Sequence, residues 1–301
     1  MKFGKLDHIE GLDWRLPELH PQSSRVFSGG RTTTSVYSGG TMWNIPEWIG
    51  KVYPPKTPKK NFLKEYAKQF STIELNATHY RTPTQQTVSD WLEQSAGTIK
   101  FCPKFPQSIS HYRRFSNCES ITDEFLEAIL NFKESLSFSF IQLPENLGLS
   151  RQKELLNYLR YLPRDMNFAL ELRHSEWFQG SASAEEVWSA MEELNITSIV
   201  SDTGGRRDAV HMRFTTPNII VRFGGNNLHA SDYERLNDWI RIIEGFANNG
   251  LIEFQLWMHQ TNSLLTPETL IYFSQALKKQ VGIFCQAPTI LAPDTLDLFS
   301  H

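Results

Sequence analysis

The sequence has few cysteines and almost no imbalance of charge. Its three cysteines, Cys102, Cys118 and Cys285, are widely spaced and lie outside any histidine cluster, which argues against a disulfide framework or a zinc site. Thirty basic residues against 33 acidic ones give a net charge of −3. The protein therefore has no overall electrostatic field that attracts nucleic acid or an anionic membrane. The net charge does not exclude a local basic patch.

The sequence also lacks long apolar runs. No segment approaches the roughly 20 apolar residues of a membrane helix, and residues 1–22 contain no apolar stretch of signal-peptide length. We expect a cytoplasmic protein with no membrane partner, and the sequence leaves its oligomeric state undetermined. With 301 residues, 40% of them hydrophobic, the chain can bury one large core, so we predict one barrel-sized domain.

Strand-like runs alternate with helical periodicity along the chain. Eight runs begin about 20 to 40 residues apart, at 36–38, 73–76, 99–104, 139–143, 168–173, 198–202, 219–223 and 254–258. Helical patterns fill the intervals, for example at 61–70, 123–135, 152–161, 184–194 and 232–247. The absence of a Gly-x-Gly-x-x-Gly turn after the first strand disfavours an open dinucleotide-binding sheet.

This alternation predicts an α/β fold, a single TIM-type (β/α) barrel of eight parallel strands over residues 36–301. A seven-stranded barrel is the alternative, because the run at 36–38 is short. Residues 1–35 contain no complete strand–helix unit, so we predict an N-terminal extension packed on the barrel.

The polar residues of the predicted strands fall on one side. Because the face toward the helices must be apolar, the polar alternation should point into the barrel near its carboxyl-terminal end, where barrel enzymes place their chemistry. The predicted inward residues are Glu74, Asn76, Lys104, Gln142, Glu171, Arg173, Asp202, Arg222, Gln255, Trp257 and His259.

This predicted interior carries carboxylates and cations in equal number. Internal salt bridges could account for all of them, but desolvation makes such burial costly, which favours a ligand site. Lys104, Arg173 and Arg222 suit an anionic, phosphorylated or sugar-like molecule. Gly224-Gly225 after Arg222 is consistent with a phosphate-binding loop or with a plain tight turn.

The carboxylates are the predicted catalytic groups. Glu171, with Asp202 or Glu74, could act as general acid and base, and Glu171 is the predicted reacting group. No organic cofactor is evident. A divalent metal held by Glu74, Glu171, Asp202 and His259 is an alternative, which the neighbouring cations disfavour.

Aromatic and histidine side chains follow several strand ends. Tyr80 and Trp177 are predicted to line the rim, where rings stack on a sugar or a nucleobase. His79, His111 and His174 lie just past strand ends, and any of them is consistent with a capping role or with proton transfer. No Gly-x-Ser-x-Gly elbow supports serine hydrolase chemistry.

Five sequence motifs are distinctive in combination. They are Trp48-Ile-Gly-Lys-Val-Tyr-Pro54, Tyr66-Ala-Lys-Gln-Phe70, Ile73-Glu-Leu-Asn-Ala-Thr-His-Tyr-Arg81, Lys104-Phe-Pro with His111, and Glu171-Leu-Arg-His-Ser-Glu-Trp-Phe178. With them the sequence resembles the YecE-like family (domain of unknown function 72) from about residue 37 to residue 287. The resemblance implies a TIM-type barrel without an established activity.

Position by position, the resemblance implies polar mouth residues at Glu74, Asn76, Tyr80, Arg81, Lys104, His111, Glu171, Arg173, His174, Trp177 and Asp202. Two segments depart from the family pattern. The seventh strand reads Arg222-Phe-Gly-Gly, where relatives tend to have His before Gly, and the eighth ends in Trp257-Met-His-Gln-Thr-Asn262 instead of an Asn-rich turn.

Three functions are consistent with these observations. The first is an enzyme of hydrolase or isomerase type that acts on a small anionic, phosphorylated or sugar-like substrate at the barrel mouth. The second is nucleic-acid binding or processing, by analogy with barrel nucleases. The third is a non-catalytic ligand sensor or partner-binding module.

Overall fold

The computed structural model describes residues 4, 6, 8–30 and 33–292. The strands of this part of the chain are β1 Ser35–Gly39, β2 Thr72–Leu75, β3 Lys100–Pro103, β4 Ser139–Gln142, β5 Phe168–Glu171, β6 Thr197–Asp202, β7 Asn218–Gly225 and β8 Glu253–Gln260. The helices are α1 Ser23–Val26, α2 Phe62–Gln69, α3 Ala77–Tyr80, α4 Gln85–Ser95, α5 Glu119–Leu130, α6 Gln152–Tyr161, α7 Ala182–Glu193, α8 Ala230–Ala247 and α9 Thr266–Val281.

The strands form an α/β fold with parallel pairing. Six of them form one sheet in the order β1-β8-β7-β6-β5-β4, and β2 pairs with β3 in a second sheet. Every pair of neighbours within these sheets runs parallel. The short first run is a genuine strand, Ser35–Gly39, paired with β8 from Glu253 to Trp257. The alternative of seven strands is therefore wrong.

Each strand has two differently packed faces. Alternate residues form a small buried cluster that we call the inner face: Cys102, Phe138, Phe140, Ala169, Ile199, Ile220 and Trp257. The opposite alternation joins the larger core with the helices, as where Phe254 of β8 meets Trp239 of α8 and Phe273 of α9 at ring distances of 6.2 and 6.1 Å. This alternation follows from the two-residue period of a strand.

The helices contribute the apolar side of that larger core. Along α8 the buried residues Leu236, Trp239, Ile240 and Ile243 recur at three- and four-residue spacing, so they form one stripe. The last long helix of the described chain, α9, ends at Val281 and is capped by Gly282, whose φ of +78° is a left-handed conformation that favours glycine. Among the described residues, we find no helix with the length and apolarity needed to cross a membrane.

Four predicted strands, β2 to β5, end one or two residues earlier than expected. β2 ends at Leu75 and β5 at Glu171, so Asn76 and Arg173 lie just beyond them. After β5 the carbonyl of Arg173 accepts a hydrogen bond from the side chain of Arg206 instead of from a neighbouring strand. A side chain from a loop thus replaces strand pairing at the point where the polar site begins.

The described N-terminal residues contact the loops that follow β6. Arg207 donates hydrogen bonds to the carbonyls of Asp13, Trp14 and Arg15 at 3.0–3.1 Å. Further along, Phe27 packs against Phe214 with ring centroids 5.6 Å apart. The division into a 1–35 extension and a 36–301 domain stays a prediction.

Candidate functional site

Arg222 lies at the centre of a buried charge cluster on the inner face. The Arg222 side chain projects from β7 and bonds Glu74 of β2, with Nε to Oε2 at 3.0 Å and Nη2 to Oε1 at 2.8 Å. Its third nitrogen, Nη1, bonds Glu171 Oε2 of β5 at 2.6 Å. One guanidinium therefore holds two carboxylates that come from strands far apart in the sequence.

Glu171 is enclosed by donors. Gln142 Nε2 donates to Glu171 Oε2 at 2.7 Å, and the hydroxyl of Ser201 donates to Oε1. Burial alone would raise the pKa of Glu171, but Arg222 and Arg173 outweigh burial and lower it. Glu171 is fully buried, so at neutral pH it is an ionised carboxylate with its oxygens occupied.

Glu74 pairs with a histidine as well as with Arg222. Its Oε2 lies 2.6 Å from His259 Nε2, and Asn76 Nδ2 donates to Oε1 at 2.7 Å. Burial raises the pKa of Glu74, but Arg222 and His259 hold it well below its usual range. For His259, burial lowers the pKa more than Glu74 raises it, so the imidazole is neutral at neutral pH.

A cavity of about 410 Å³ opens beside this pair. The His259 side chain is 14% exposed, whereas Glu74 is fully buried behind it. Ligand sites of small molecules commonly combine an apolar wall with a few convergent polar groups, as here. The cavity is lined by Gly40, Thr41, Met42, Ile45, Trp48, Asn76, Tyr80, Arg222, Met258, His259, Gln260, Thr261, Ser263 and Thr266.

Lys104, just after β3, is buried in the same cluster. Its Nζ donates to Gln142 Oε1 at 2.6 Å, so in the described part of the chain its hydrogen-bond partner is an amide oxygen. Burial, followed by the positive charge of Arg222, lowers the pKa of Lys104 to about 8. Gln142 thus connects an amine that is easily deprotonated to the Glu171 carboxylate.

The remaining predicted mouth residues are spread around this centre. Arg173 bonds Glu145 at 2.7 Å and lies 3.7 Å from Glu171. His111 is half-buried, and burial together with Lys104 and Arg173 lowers its pKa. Tyr80 lines the cavity, and Arg81 is exposed next to it. His174 stays outside this cluster: it is half-exposed, and its Nδ1 accepts from the Glu176 backbone.

Asp202 was expected to point inward, and that prediction is wrong. Ser201 is the inward residue, since its hydroxyl reaches Glu171, and Asp202 therefore faces the helices. Its carboxylate bonds Arg207 at 2.5 Å, Arg235 at 3.2 Å and Trp239 at 2.9 Å. Burial raises the pKa of Asp202, but Arg235 and Arg207 lower it overall, so this buried charge is paired outside the site.

The prediction that Trp177 lines the rim is also wrong. Trp177 is completely buried, and its Nε1 donates to the Leu147 carbonyl at 2.9 Å. Its own carbonyl accepts from Trp188 Nε1 of α7. These two bonds fix the ring in the core, because a buried indole N–H needs a partner. Trp48 is buried as well, but it borders the cavity.

The four residues considered for a divalent metal are not brought together. Glu74 and His259 are in contact, and Glu171 is joined to Glu74 through Arg222. Asp202 points to the other side of the strands, as described above. Across residues 4, 6, 8–30 and 33–292, no group of three or more His, Cys, Asp or Glu side chains is arranged to hold a metal ion.

The glycine pair after Arg222 is explained by close packing. A Cβ on Gly224 would lie 2.4 Å from the Thr203 hydroxyl, and a Cβ on Gly225 would meet Gln260 at the same distance. The backbone N–H groups that follow are already bonded: Asn226 to the Asp232 carboxylate at 2.9 Å and Asn227 to Gln260 at 2.8 Å. A carboxylate of the chain itself thus occupies the position where a phosphate was considered.

Three contributing residues were not predicted from the sequence. Ser201 lies at the end of β6 next to Asp202, and the charged residue was predicted to point inward in its place. Glu145 and Arg206 come from loops, where no periodicity marks them, and both converge on Arg173. One signal could have suggested Glu145: it lies in the loop after β4, and Arg173, a possible ion-pair partner, follows the next strand, β5.

Comparisons with known proteins agree with the resemblance in the sequence. The family described as "Protein of unknown function DUF72" matches residues 37–292. UPF0759 protein YecE of Escherichia coli (strain K12) is 24% identical over 282 residues, which cover 88% of this chain and all of that protein. UPF0759 protein YunF of Bacillus subtilis (strain 168) is 25% identical over 64% of this chain and 71% of its own length.

A solved structure has the same fold. The crystal structure of a DUF72 family protein from Enterococcus faecalis V583 superimposes with a TM-score of 0.62 at 17% identity. The superposition covers 87% of this chain and all of that one. Together with the family match over most of the sequence, this similarity shows that the chain belongs to the DUF72 family, a family of unknown function.

Proposed function

We propose that this chain is an enzyme that performs acid–base chemistry on a small anionic or hydroxylated molecule. The observation that carries the proposal is the Glu74–His259 pair on the wall of the cavity, with an Nε2–Oε2 distance of 2.6 Å. A carboxylate that bonds one imidazole nitrogen fixes the ring orientation and stabilises the imidazolium that forms when the ring takes a proton.

His259 is the proposed proton-transfer residue. It is neutral at neutral pH and borders the cavity, so it can accept a proton from a bound hydroxyl, water or carbon acid. Hydrolysis and isomerisation both begin with such a transfer, and the site favours neither. The proton would be returned to the product from the same imidazole, which balances the cycle.

Glu74 and Glu171 act in this proposal as positioning residues. Their low pKa values make them weak bases, and their oxygens are occupied by Arg222, Gln142, Ser201 and Asn76. They hold Arg222 against the cavity wall, where its positive charge can stabilise negative charge that develops on the substrate. Glu171 is thereby reassigned from the predicted reacting group to an anchor.

The ligand class follows from the residues that line the cavity. Arg222, His259 and Asn76 offer polar contacts, while Met42, Ile45, Trp48 and Met258 contribute apolar surface. Lys104 and Arg173 add positive charge to the surrounding cluster. A small acid or phosphorylated sugar with one apolar face fits this arrangement.

We also propose that the two sheets close into one eight-stranded barrel. Between β3 and β4, Phe105 N donates to Phe140 O at 2.8 Å, and Ser137 N donates to Phe101 O at 2.9 Å. Between β1 and β2, Ser71 N reaches Ser38 O and Glu74 N reaches Gly40 O, both at 3.2 Å. Phe140 of β4 also contacts Trp257 of β8 across the inner face, with ring centroids 4.8 Å apart. These contacts support closure at both gaps between the sheets.

A deuterium-exchange screen tests the proposed chemistry. Wild-type protein in D₂O is incubated with phosphorylated sugars, hydroxy acids and phosphate monoesters, and ¹H NMR follows loss of carbon-bound hydrogen and appearance of cleavage products. We expect at least one compound to react, and His259→Asn to slow that reaction by about 100-fold or more.

The matched control is His229→Asn. His229 is an exposed N-cap of α8, where asparagine caps equally well, so this variant should react at the wild-type rate. Full activity in His259→Asn would contradict the assignment of His259. Saturable binding of these compounds without any reaction would instead favour the non-catalytic sensor.

A further inference from the structure

The loops that follow β2 and β3 carry positive charge without acidic residues. Residues 75–89 and 99–118 contain no Asp or Glu. They contain Arg81, Arg113 and Arg114, of which Arg81 and Arg113 are exposed and Arg114 is half-buried. We call the set Tyr80, Arg81, His111, Tyr112, Arg113 and Arg114 the cationic rim.

Direct contacts join the two loops into one surface. His79 packs edge-to-face against Tyr80 on one side and against His111 on the other, with centroid distances of 5.4 and 4.9 Å. The Thr78 hydroxyl donates to the Lys104 carbonyl at 2.8 Å, which fixes α3 against the loop after β3. The arginines therefore belong to neighbouring parts of one mouth.

Two large aromatic rings of the cationic rim face solvent. Tyr80 is 63% exposed and Tyr112 is 72% exposed. Tyr80 also lines the cavity of the proposed active site. Exposed rings next to arginines are the combination with which proteins bind single strands, because every base has a face that stacks and every nucleotide carries a phosphate.

The second of these loops is held in an unusual conformation. Ser108–Tyr112 form one π-helical turn, and Arg114, Phe115 and Asn117 all have positive φ, between 47° and 69°. Phe115 is buried against Tyr158, with ring centroids 5.1 Å apart. This anchor maintains the costly conformation, and the loop presents Tyr112, Arg113 and Arg114 around it.

The acidic residue of the adjoining mouth loop is already paired. Glu145, in the loop after β4, bonds Arg173 at 2.7 Å and lies 3.7 Å from Arg206. Its charge is therefore balanced by those two guanidiniums. The arginines of the cationic rim keep their positive field although the whole chain has a net charge of −3.

We propose that the cationic rim binds single-stranded nucleic acid, with phosphates on its arginines and bases stacked on Tyr80 and Tyr112. A nucleotide shares this chemistry, but three arginines on two loops match a strand with several phosphates better than a single phosphate. The proposal goes beyond the acid–base chemistry and does not depend on it, because binding requires no turnover.

Fluorescence anisotropy with labelled DNA and RNA strands of about 12 nucleotides tests the proposal. Three phosphate contacts on a single strand predict a slope of about −2 for log K against log salt concentration. Affinity should therefore fall roughly 15-fold between about 50 and 200 mM salt. Adenosine monophosphate and a duplex of the same sequence are the competing probes.

Variants of the cationic rim separate the contributions of the arginines and the rings. The triple variant Arg81→Ala/Arg113→Ala/Arg114→Ala should abolish measurable binding. Tyr80→Ala and Tyr112→Ala should each weaken binding roughly 5- to 150-fold, whereas Tyr80→Phe retains it because the ring still stacks. The control Lys278→Ala/Lys279→Ala removes exposed charges from the far end of α9 and should bind like wild type.

Each alternative result overturns the proposal. One such result is that neither strand binds at the lowest salt concentration. Another is that the triple arginine variant binds with unchanged affinity, or that the α9 control loses as much affinity as that variant. Adenosine monophosphate binding as tightly as the strand would assign the rim to a free nucleotide instead. His259→Asn leaves the cationic rim intact, so this variant should bind single strands with wild-type affinity. The binding proposal and the acid–base proposal can therefore be refuted separately.

Discussion

Arg222 and Glu74 form a two-point ion pair in the interior of the protein. Nε to Oε2 is 3.0 Å and Nη2 to Oε1 is 2.8 Å, with Glu74 fully buried and Arg222 2% exposed. The same guanidinium reaches Glu171 at 2.6 Å. Two carboxylates therefore depend on one cation, which makes Arg222 the residue on which the electrostatics of the site rest.

Replacing Arg222 with methionine should destabilise the fold strongly. The variant leaves Glu74 and Glu171 buried without their shared cation, and removal of one partner from a buried pair costs about 3–5 kcal/mol. Urea denaturation monitored by tryptophan fluorescence measures the change in free energy of unfolding.

The control is the variant Glu74→Leu/Glu171→Leu/Arg222→Met, in which none of these three charges remains. It should recover most of the lost stability, since apolar replacement of a whole buried ion cluster is often neutral or stabilising. If Arg222→Met alone is as stable as wild type, the three groups are not coupled as described.

Lys104 should make the free energy of unfolding change with pH in the alkaline range. Burial lowers its pKa to about 8 from 10.5, so above pH 8 the folded protein releases a proton that the unfolded chain keeps up to pH 10.5. Wild-type stability relative to Lys104→Met should therefore rise across this window, by about 3 kcal/mol in total. Below pH 8 both states are protonated, and the difference should be constant.

Urea denaturation of both proteins between pH 7 and pH 10.5 gives this difference directly. Groups other than Lys104 titrate in both proteins and cancel in the comparison. A difference that stays flat over the whole range would mean that Lys104 titrates at its ordinary pKa.

Arg207 should hold the described N-terminal residues against the loop after β6. Arg207→Ala removes its hydrogen bonds to the carbonyls of Asp13, Trp14 and Arg15. We expect trypsin to cleave after the exposed Arg15 about tenfold faster, because each lost bond raises the open population. Arg206→Ala is the neighbouring control, since the described contacts of Arg206 are with Arg173, Asp208 and Glu145. Equal cleavage rates in both variants would contradict this role.

Strand alternation located the inward residues wherever one side of a strand was clearly polar. Glu74 in β2, Glu171 in β5, and Gln255, Trp257 and His259 in β8 are such cases, and each bonds or packs on the inner face. β6 ends in Ser201 and Asp202, so both of its sides are polar there. The inward position was assigned to the charged residue, Asp202. Two cations pair with Asp202: Arg207 lies in the loop that follows, and Arg235 comes from a helix some 30 residues later, which no local pattern indicates.

Loop residues were harder to place because tertiary contacts decide their burial. Trp177 follows β5 in a position that suits a rim, but the Leu147 carbonyl and Trp188 hold it in the core. The glycine pair at Gly224 was open to two explanations until the approach of Thr203 and Gln260 explained it. Distances between loops are set by the whole fold, which the local sequence does not encode.

An NMR titration of His259, with ¹³C- and ¹⁵N-labelled histidine, decides whether this residue is a neutral base oriented by Glu74. We predict a pKa below 6.5 in wild type, and a still lower value in Glu74→Gln because the carboxylate charge raises the pKa of His259. His259→Asn assigns the resonance, and the spectrum of each variant reports whether it is folded. A pKa at or above 6.5, or one unchanged by Glu74→Gln, would contradict a neutral base oriented by Glu74.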